Sequence, residues 1–418
     1  MRRKASVLVS AGLIGLVGLI GIGMISRPAP AGATASRTLE ATFTSVANGW
    51  TKVERWKDNS SSFLSEGYPT DGRGDQQGQR VTFFGSAEPH SSRFLLYYAP
   101  GWSTGTKAAP VLLVHGANQQ PDFAWANPNE YGADLCGAST CPTTGLMQYL
   151  DSRSYKVFAI GFPHKNGDGY YWAEQIHDAI EVIKSRTGAS TVDVVAWSKG
   201  GFNARMYASS VKASWGTAYA NNIRKLVLMG TPNNGFDYPF RHGILPAVGV
   251  YSECGVGANG AVASDWLVCY GVWYNHPEWA YGSSWYPGSK QMLKRWDGTY
   301  GLPTNEQDYY TTYYGGWGYA SHSDGITAFT GGSLVDSVRT AGIPAAIRTY
   351  RICGNVNDIP NIHNEHTGTS DGLIFTSSCT STTGIGNNAG GSTLAINHSK
   401  LGWYSSSMSQ VESWLAAP

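Results

Sequence analysis

One stretch of the sequence constrains the fold more than any other. Residues 192–201 read Val-Asp-Val-Val-Ala-Trp-Ser-Lys-Gly-Gly, an apolar run that enters a small-x-Ser-x-Gly turn and continues as a predicted helix at 202–209. The small residues Ala196 and Gly200 let a strand and a helix approach closely, which leaves Ser198 exposed in a strained conformation between them. A serine hydroxyl held in this way, beside a base and backbone N–H groups, is a competent nucleophile. Ser198 is therefore the predicted nucleophile.

A second strand leads into a loop that can stabilise an oxyanion. The buried run 111–114 is followed directly by His115-Gly116-Ala117. Because Gly116 allows a sharp turn, the N–H of Ala117 can point at a substrate oxygen, and the N–H of Lys199, beside the nucleophile, is the second expected donor. His115 is interpreted as a structural hydrogen-bonding residue beneath this loop.

The rest of the chain alternates between predicted strands and helices. Such alternation predicts a mostly parallel sheet with helices on both faces. Upstream, residues 80–84 and 94–99 are predicted to form a hairpin at an antiparallel edge, and the polar segment 36–79 is expected to wrap the surface. The predicted strands are 155–162, 191–197, 223–229, 347–352 and 393–396, and the predicted helices are 144–153, 172–186 and 406–416.

The alternation stops in the middle of the chain, where Trp and Tyr are abundant. This aromatic-rich segment is predicted to be a cap inserted over the carboxyl edge of the sheet, and aromatic residues there could either pack the insertion or bind an apolar substrate. The expected organisation is a signal peptide at 1–35, the N-terminal part of the core at 36–232, the cap insertion at 233–345 and the C-terminal part of the core at 346–418.

The N-terminus has the pattern of an export signal. Three basic residues at positions 2–4 precede an uncharged apolar run at 5–25, and small residues follow at 31–35. This pattern predicts a signal peptide cleaved near Ala33 or Ala35, hence secretion and no permanent membrane association after cleavage. An uncleaved anchor is the alternative, because the apolar run is just long enough to span a bilayer.

Six cysteines in an exported chain indicate disulfides. No Cys-x-x-Cys pair is present, which disfavours metal ligation by cysteine. Proximity in the sequence favours pairing Cys136 with Cys141, Cys254 with Cys269, and Cys353 with Cys379.

Charge excludes one large class of partner. The 418 residues carry a net charge of +1, and lysine and arginine are scattered rather than clustered. A polyanion such as nucleic acid is therefore not an expected partner. The chain is expected to be a monomer.

Together these stretches resemble the α/β-hydrolase lipases and esterases, especially secreted bacterial lipases, with some similarity to extracellular polyhydroxybutyrate depolymerases. The resemblance covers residues 110–232 and 347–418. It implies an α/β-hydrolase fold whose acid and base follow the serine in the order Ser, Asp, His, on loops after later strands. The matching segments are Leu113-Val114-His115-Gly116, Ala196-Trp197-Ser198-Lys199-Gly200, Met229-Gly230-Thr231-Pro232, Asp371-Gly372-Leu373-Ile374 and Asn397-His398.

The resemblance leaves one base and two acids to consider. His398 directly follows a late predicted strand and precedes the final helix, where the base is needed. Asp371 begins an Asp-Gly-Leu-Ile segment similar to the one that carries the acid in secreted lipases. Asp358 stands closer to the preceding strand, where some depolymerases keep their acid. Asp371 is the preferred acid, and the other aspartate is interpreted as a loop carboxylate.

A metal site is the weaker interpretation of the acidic loop. Asp358, His363, Glu365, His366 and Asp371 lie close in sequence and offer ligands suited to zinc or calcium. The resembling lipases place a calcium-ligating aspartate two residues after the base, and this chain has Lys400 there. No metal and no cofactor is expected.

The expected function is that of a secreted serine hydrolase that cleaves carboxylic esters through a Ser-His-Asp triad and an acyl-enzyme. Two alternatives stay open, an extracellular polyester (polyhydroxyalkanoate) depolymerase and a non-catalytic binding protein with an α/β-hydrolase fold. A peptidase or amidase on the same scaffold is a third possibility, because cap geometry determines the preferred leaving group.

Overall fold

A nine-stranded sheet organises the described part of the chain. The computed structural model describes residues 36–68, 74–132, 135–236, 287–294, 296, 298–300, 332–360 and 368–418. The strands are β1 Arg37–Phe43, β2 Lys52–Asp58, β3 Arg93–Tyr98, β4 Val111–Val114, β5 Val157–Gly161, β6 Val192–Trp197, β7 Ile223–Met229, β8 Arg348–Gly354 and β9 Asn388–Leu394. The α-helices are α1 Gln79–Phe84, α2 Leu146–Asp151, α3 Gly169–Thr187, α4 Lys199–Ala208, α5 Pro287–Gln291, α6 Ser333–Ala341, α7 Thr376–Cys379 and α8 Ser405–Ala416. A π-helical turn covers Asp122–Ala126 and a 3-10 turn covers His398–Lys400.

The sheet is mostly parallel, with an antiparallel edge. Its order is β1-β2-β3-β5-β4-β6-β7-β8-β9. The six strands β4 to β9 pair parallel with one another, whereas β1, β2 and β3 form antiparallel pairs, the last of them between β3 and β5. Helix crossovers between parallel strands explain this arrangement. The predicted mostly parallel sheet with flanking helices, the α/β-hydrolase fold, is confirmed.

Apolar side chains fill both faces of the sheet. Along β6, Val194 and Ala196 face one buried cluster with α3 and α4, while Val195 and Trp197 face a second with α2 and α8. Successive side chains of a strand point to opposite faces, so a strand covered on both sides must be apolar throughout. This is why β6 has no polar alternation except Asp193, whose carboxylate is held by Arg224.

The N-terminal edge differs from its prediction. Segment 36–79 does not only wrap the surface, because it contributes the edge strands β1 and β2. The predicted strand at 80–84 is wrong as well, since these residues belong to helix α1. Tertiary contacts override the local β preference here: the buried guanidinium of Arg80 bonds to Asp122 at 2.6 Å.

The last helix is fixed to the sheet by a buried lysine. Lys225 on β7 donates through Nζ to the carbonyls of Trp414 at 2.9 Å and Leu415 at 3.0 Å, and also to that of Ala417. A cation at a helix C-terminus satisfies free carbonyls and complements the helix dipole. Helix α8 is thereby held against the second apolar cluster.

Two of the three predicted disulfides lie in the described residues and are confirmed. They join Cys136 to Cys141 and Cys353 to Cys379. The predicted pair Cys254–Cys269, the signal segment 1–35 and most of the cap insertion lie outside the described residues. Across the residues that are described, every helix is too short or too polar to cross a bilayer.

Candidate active site

Ser198 stands on the turn between β6 and α4. Its backbone has φ 54° and ψ −125°, a conformation that non-glycine residues rarely adopt. Close packing maintains this turn, since a Cβ at Gly200 would lie 2.3 Å from the carbonyl oxygen of His115. The side chain of Ser198 is consequently lifted from the carboxyl end of the central strand, where it keeps partial exposure.

The loop after β4 lies directly against this serine. A Cβ at Gly116 would be 2.9 Å from Ser198 Cβ and 3.5 Å from its Oγ, so only glycine fits there without displacement. Ala117 follows in the same loop, and Lys199 opens helix α4, where the first backbone N–H groups have no intrahelical acceptor. The structure therefore brings both predicted donor residues to the surroundings of Ser198.

His115 is buried beneath this loop. Its Nδ1 lies 2.9 Å from the Gly116 carbonyl oxygen, and the N–H of Phe162 approaches Nε2 at 3.5 Å. Burial lowers the pKa of His115 to about 3, and the nearby charges of Lys199, Arg80 and Lys165 also disfavour its protonation. A neutral imidazole with two backbone partners is consistent with a structural role.

Asp371 and His398 form a buried pair. Asp371 Oδ2 lies 2.7 Å from His398 Nδ1, and the backbone N–H of His398 also donates to the Asp371 carbonyl at 2.7 Å. The other carboxylate oxygen accepts the N–H groups of Leu373 at 3.1 Å and Ile374 at 2.8 Å. The carboxylate is thus oriented from one side by its own turn, and it in turn orients the imidazole.

Asp358 lies four residues after the end of β8. Its Oδ1 accepts the Asn397 side-chain amide at 2.7 Å, and its Oδ2 lies 3.3 Å from Lys400 Nζ. These residues flank His398 in sequence, yet the Asp358 carboxylate is half exposed and its bonds go to the neighbours of the imidazole. The structure therefore joins His398 to Asp371 rather than to Asp358.

Ser198, the loop after β4 and the Asp371–His398 pair each follow a parallel strand of the sheet. They lie at one edge of the sheet, because the carboxyl ends of parallel strands meet there. The ring of His398 lies 5.8 Å from that of Trp197, the residue before Ser198. A Cβ at Gly230, just after β7, would lie 2.9 Å from both Nδ1 and Cε1 of His398. Gly230, with φ 52°, therefore leaves the space that the imidazole occupies beside the turn at Ser198.

The side chain of Lys199 is buried next to the nucleophile. Its Nζ lies 3.1 Å from the centre of the Trp172 ring and 3.0 Å from Asn203 Oδ1. Burial holds the pKa of Lys199 well below its usual value, although Glu66 and Asp168 act in the opposite direction. The amine therefore belongs to the packed interior under α4, while its backbone N–H remains at the helix start.

Sequence reasoning did not assign a structural role to Asn397. Its side-chain amide donates to Gly137 O at 2.8 Å as well as to Asp358, and its Oδ1 accepts the N–H of Lys400 at 3.1 Å. Trp403 Nε1 donates to Cys136 O at 3.0 Å. The small disulfide loop at Cys136–Cys141 therefore supports the segment that carries His398. The close spacing of the two cysteines was the available signal for a rigid loop.

The predicted metal-ligand loop is only partly described. Asp358 and Asp371 have the partners given above, whereas His363, Glu365 and His366 lie outside the described residues. Lys400, at the position of the lipase calcium ligand, directs its ammonium group to Asp358.

No family model matches the sequence. Among solved structures, the mature form of the Bacillus licheniformis lipase BlEst2 is similar at 13% identity and a TM-score of 0.43, over 77% of this chain and 98% of that one. The product of the Listeria innocua gene lin2722 is similar at 14% identity and a TM-score of 0.35, over 75% and 95% of the two chains. Because identities and TM-scores are low, the residues of this chain are the ground for a functional proposal.

Proposed function

We propose that this protein is a secreted serine hydrolase that cleaves carboxylic esters through Ser198, His398 and Asp371. The observation that carries the proposal is the strained, partly exposed Ser198 at the same sheet edge as the buried Asp371–His398 pair. Non-glycine residues held in such a conformation cluster at functional sites. An imidazole oriented by a carboxylate is the base that such a serine requires.

The mechanism follows from these positions. His398 takes the proton of Ser198 Oγ as that oxygen bonds to the ester carbonyl carbon, and the carbonyl electron pair moves onto its oxygen. The N–H groups of Ala117 and Lys199 stabilise this oxyanion. When the intermediate collapses, the C–O bond to the leaving alcohol breaks and the imidazolium returns the proton to that alcohol. Water then cleaves the acyl-enzyme by the same steps.

The decisive experiment compares wild-type protein with Ser198→Ala on p-nitrophenyl esters of increasing acyl length and on a polyester film. Hydrolysis by the wild type and its loss in the variant are expected, with Ser406→Ala, an exposed serine on α8, as the matched control. A fluorophosphonate probe should label the wild type and the control but not Ser198→Ala. An inert wild type would overturn the proposal and favour the non-catalytic binding protein. An equally active Ser198→Ala would overturn the triad by showing that hydrolysis does not need Ser198.

The polyester film tests the alternative substrate class. In the described part of the cap insertion, the rings of Trp296 and Tyr300 pack with Phe375, which lies four positions after Asp371. Trp296 and Phe375 are buried in this cluster, and Tyr300 is partly exposed. An exposed aromatic ring near the proposed triad suits contact with an apolar acyl chain or a polymer. Preference for the film over soluble esters would identify a depolymerase, and a preference among chain lengths would separate an esterase from a lipase.

Secretion is the other part of the proposal. Its support is the signal-like sequence at 1–35 together with the two disulfides, which form and persist in oxidising compartments. Mass spectrometry of protein from the culture medium should give a chain that begins just after Ala33 or Ala35. Protein confined to the cytoplasm with Met1 retained would contradict export.

A further inference from the structure

A buried cluster of acidic groups and one imidazole lies on helix α3, apart from the triad. Glu174, His177 and Asp178 occupy one face of that helix through their i, i+3 and i+4 spacing. Their potential ligand atoms all lie within 4.8 Å of one another. Asp58, the last residue of β2, interacts with Asp178 from the neighbouring element. All four side chains are at least 95% buried.

Two carboxylate oxygens in this cluster, Asp178 Oδ2 and Asp58 Oδ2, are buried without a hydrogen-bond donor. His177 Nδ1 lies 3.3 Å from the other oxygen of Asp178. Buried polar atoms are normally satisfied, and an unpartnered carboxylate oxygen is especially costly. The neighbouring carboxylates of Asp58 and Asp178, and the imidazole nitrogen of His177, which also lies 3.6 Å from Glu174 Oε1, form a ligand set.

Other oxygens of Asp178, Asp58 and Glu174 accept hydrogen bonds from residues outside the cluster. Arg37 Nη1 lies 2.5 Å from Asp178 Oδ1, and the N–H of Ser60 donates to Asp58 Oδ1 at 2.6 Å. Thr217 donates to Glu174 through its N–H at 2.7 Å and its hydroxyl at 2.6 Å. Partners of this kind orient the ligands of metal sites from outside.

We propose that Glu174, His177 and Asp178 bind a divalent cation, with Asp58 completing the acidic surround. When no ion is bound, the His177 imidazole lies between Glu174 and Asp178 and supplies their counter-charge as a cation. Binding of the divalent ion releases that proton and takes over its role, because buried carboxylates without a counter-charge are strongly unfavourable. Carboxylate oxygens with one imidazole nitrogen and no thiolate suit zinc. The ion connects the N-terminal strands β1 and β2 to helix α3, so its role is to stabilise the fold.

The test uses the full-length protein, freed of metal by a chelator and dialysed, with ZnCl2 as the probe. One zinc per chain by metal analysis and calorimetry is expected, with a rise of several degrees in the melting temperature, because a ligand specific to the folded state stabilises it. His177→Gln and Asp178→Asn should abolish this rise. Glu181→Gln, on the same helix but paired with Lys184, is the matched control and should keep it.

A zinc-induced rise that persists in both ligand variants would overturn the proposal, as would a wild type that neither binds zinc nor changes its melting temperature. Anomalous diffraction at the zinc edge from wild-type crystals needs no variant to fold. A peak between Glu174, His177 and Asp178 supports the site, and zinc bound only elsewhere contradicts it. Esterase activity enters none of these measurements, so the result is independent of the proposed function.

Discussion

The carboxylate of Asp371 is oriented before any substrate arrives. Its turn supplies two N–H donors to Oδ1, which leaves Oδ2 directed at His398 Nδ1. Pre-oriented charge costs no reorganisation at the moment of reaction. Asp358, by contrast, bonds to Asn397 and Lys400, which flank His398 in the sequence, whereas the imidazole itself bonds to Asp371. The two aspartates therefore differ in what their removal should affect.

Asp371→Asn should reduce kcat by about 1,000- to 10,000-fold, the scale of loss when the acid of such a triad becomes an amide. Asp358→Asn should reduce it by less than about tenfold, because this change weakens a loop contact worth about 1 kcal/mol. Steady-state kinetics on a p-nitrophenyl ester distinguish them, and circular dichroism checks folding. A larger loss for Asp358→Asn would exchange the two roles.

His115 should make stability depend on pH. Its pKa is lowered from 6.5 to about 3 in the folded protein, so between these values the unfolded chain binds a proton that the folded protein does not. The contribution of His115 to the free energy of unfolding should therefore be constant above about pH 6.5 and should decrease by about 1.4 kcal/mol per pH unit below it, as far as about pH 3.

Urea titrations of wild type and His115→Gln between pH 7 and pH 5 isolate this contribution, since the other titrating groups are common to both proteins. The variant is expected to be less stable at pH 7, with a difference from wild type that shrinks as the pH falls. A difference independent of pH would mean that His115 is not held neutral.

At the scale of elements, the site depends on how closely α4 approaches its neighbours. Gly201 faces Thr231, and a Cβ there would lie 1.9 Å from Thr231 Oγ1. Gly200 faces the carbonyl oxygens at the end of β4 in the same way. Gly200 thus sets how closely the turn at Ser198 approaches the loop after β4, and Gly201 sets how closely α4 approaches Thr231 after β7.

Gly201→Ala is expected to destabilise the protein by about 1–3 kcal/mol despite the better helix propensity of alanine, because overpacking outweighs that gain. Urea denaturation measures the loss, and kcat should fall as Ser198 moves with the helix. Gly298→Ala, at an exposed position where an added Cβ meets no atom of the described residues within 4 Å, is the control and should change neither. An unchanged or raised stability for Gly201→Ala would show that α4 tolerates a wider spacing.

Sequence patterns predicted the alternation of strands and helices and the turn at Ser198, because these features depend on local apolar runs. They missed β2 because its charged residues are stabilised by distant partners: Glu54 bonds to Arg186 at 3.1 Å and to the Tyr98 hydroxyl at 2.5 Å. The choice between Asp371 and Asp358 likewise depends on the turn at 371–374, whose conformation no periodicity encodes. Long-range ion pairs and loop geometry were therefore the parts that could not be predicted.

At the scale of the whole molecule, the two described disulfides should have separate effects. Replacing Cys353 and Cys379 by alanine removes a cross-link between β8 and α7 that spans 26 positions, with an expected loss of about 3.5 kcal/mol. Replacing Cys136 and Cys141 opens a loop of only 5 positions and should cost about 2 kcal/mol.

Activity should show the reverse order, because Gly137 in the small loop supports Asn397 beside the base. Urea denaturation and kcat measured on both double variants test this, with wild type under the same conditions as the control. Equal effects on kcat would show that the disulfide loop at Cys136–Cys141 does not support His398.

The order of the proposed catalytic groups along the chain has a consequence for biosynthesis. Ser198 follows β6, whereas Asp371 follows β8 and His398 comes after all nine strands of the sheet. During translation the nucleophile turn can form while its acid and base have not yet been made, and domains begin folding from the N-terminus. The growing polypeptide therefore lacks the proposed acid and base until the last third of the sheet has been made, and the proposed triad is incomplete for most of synthesis.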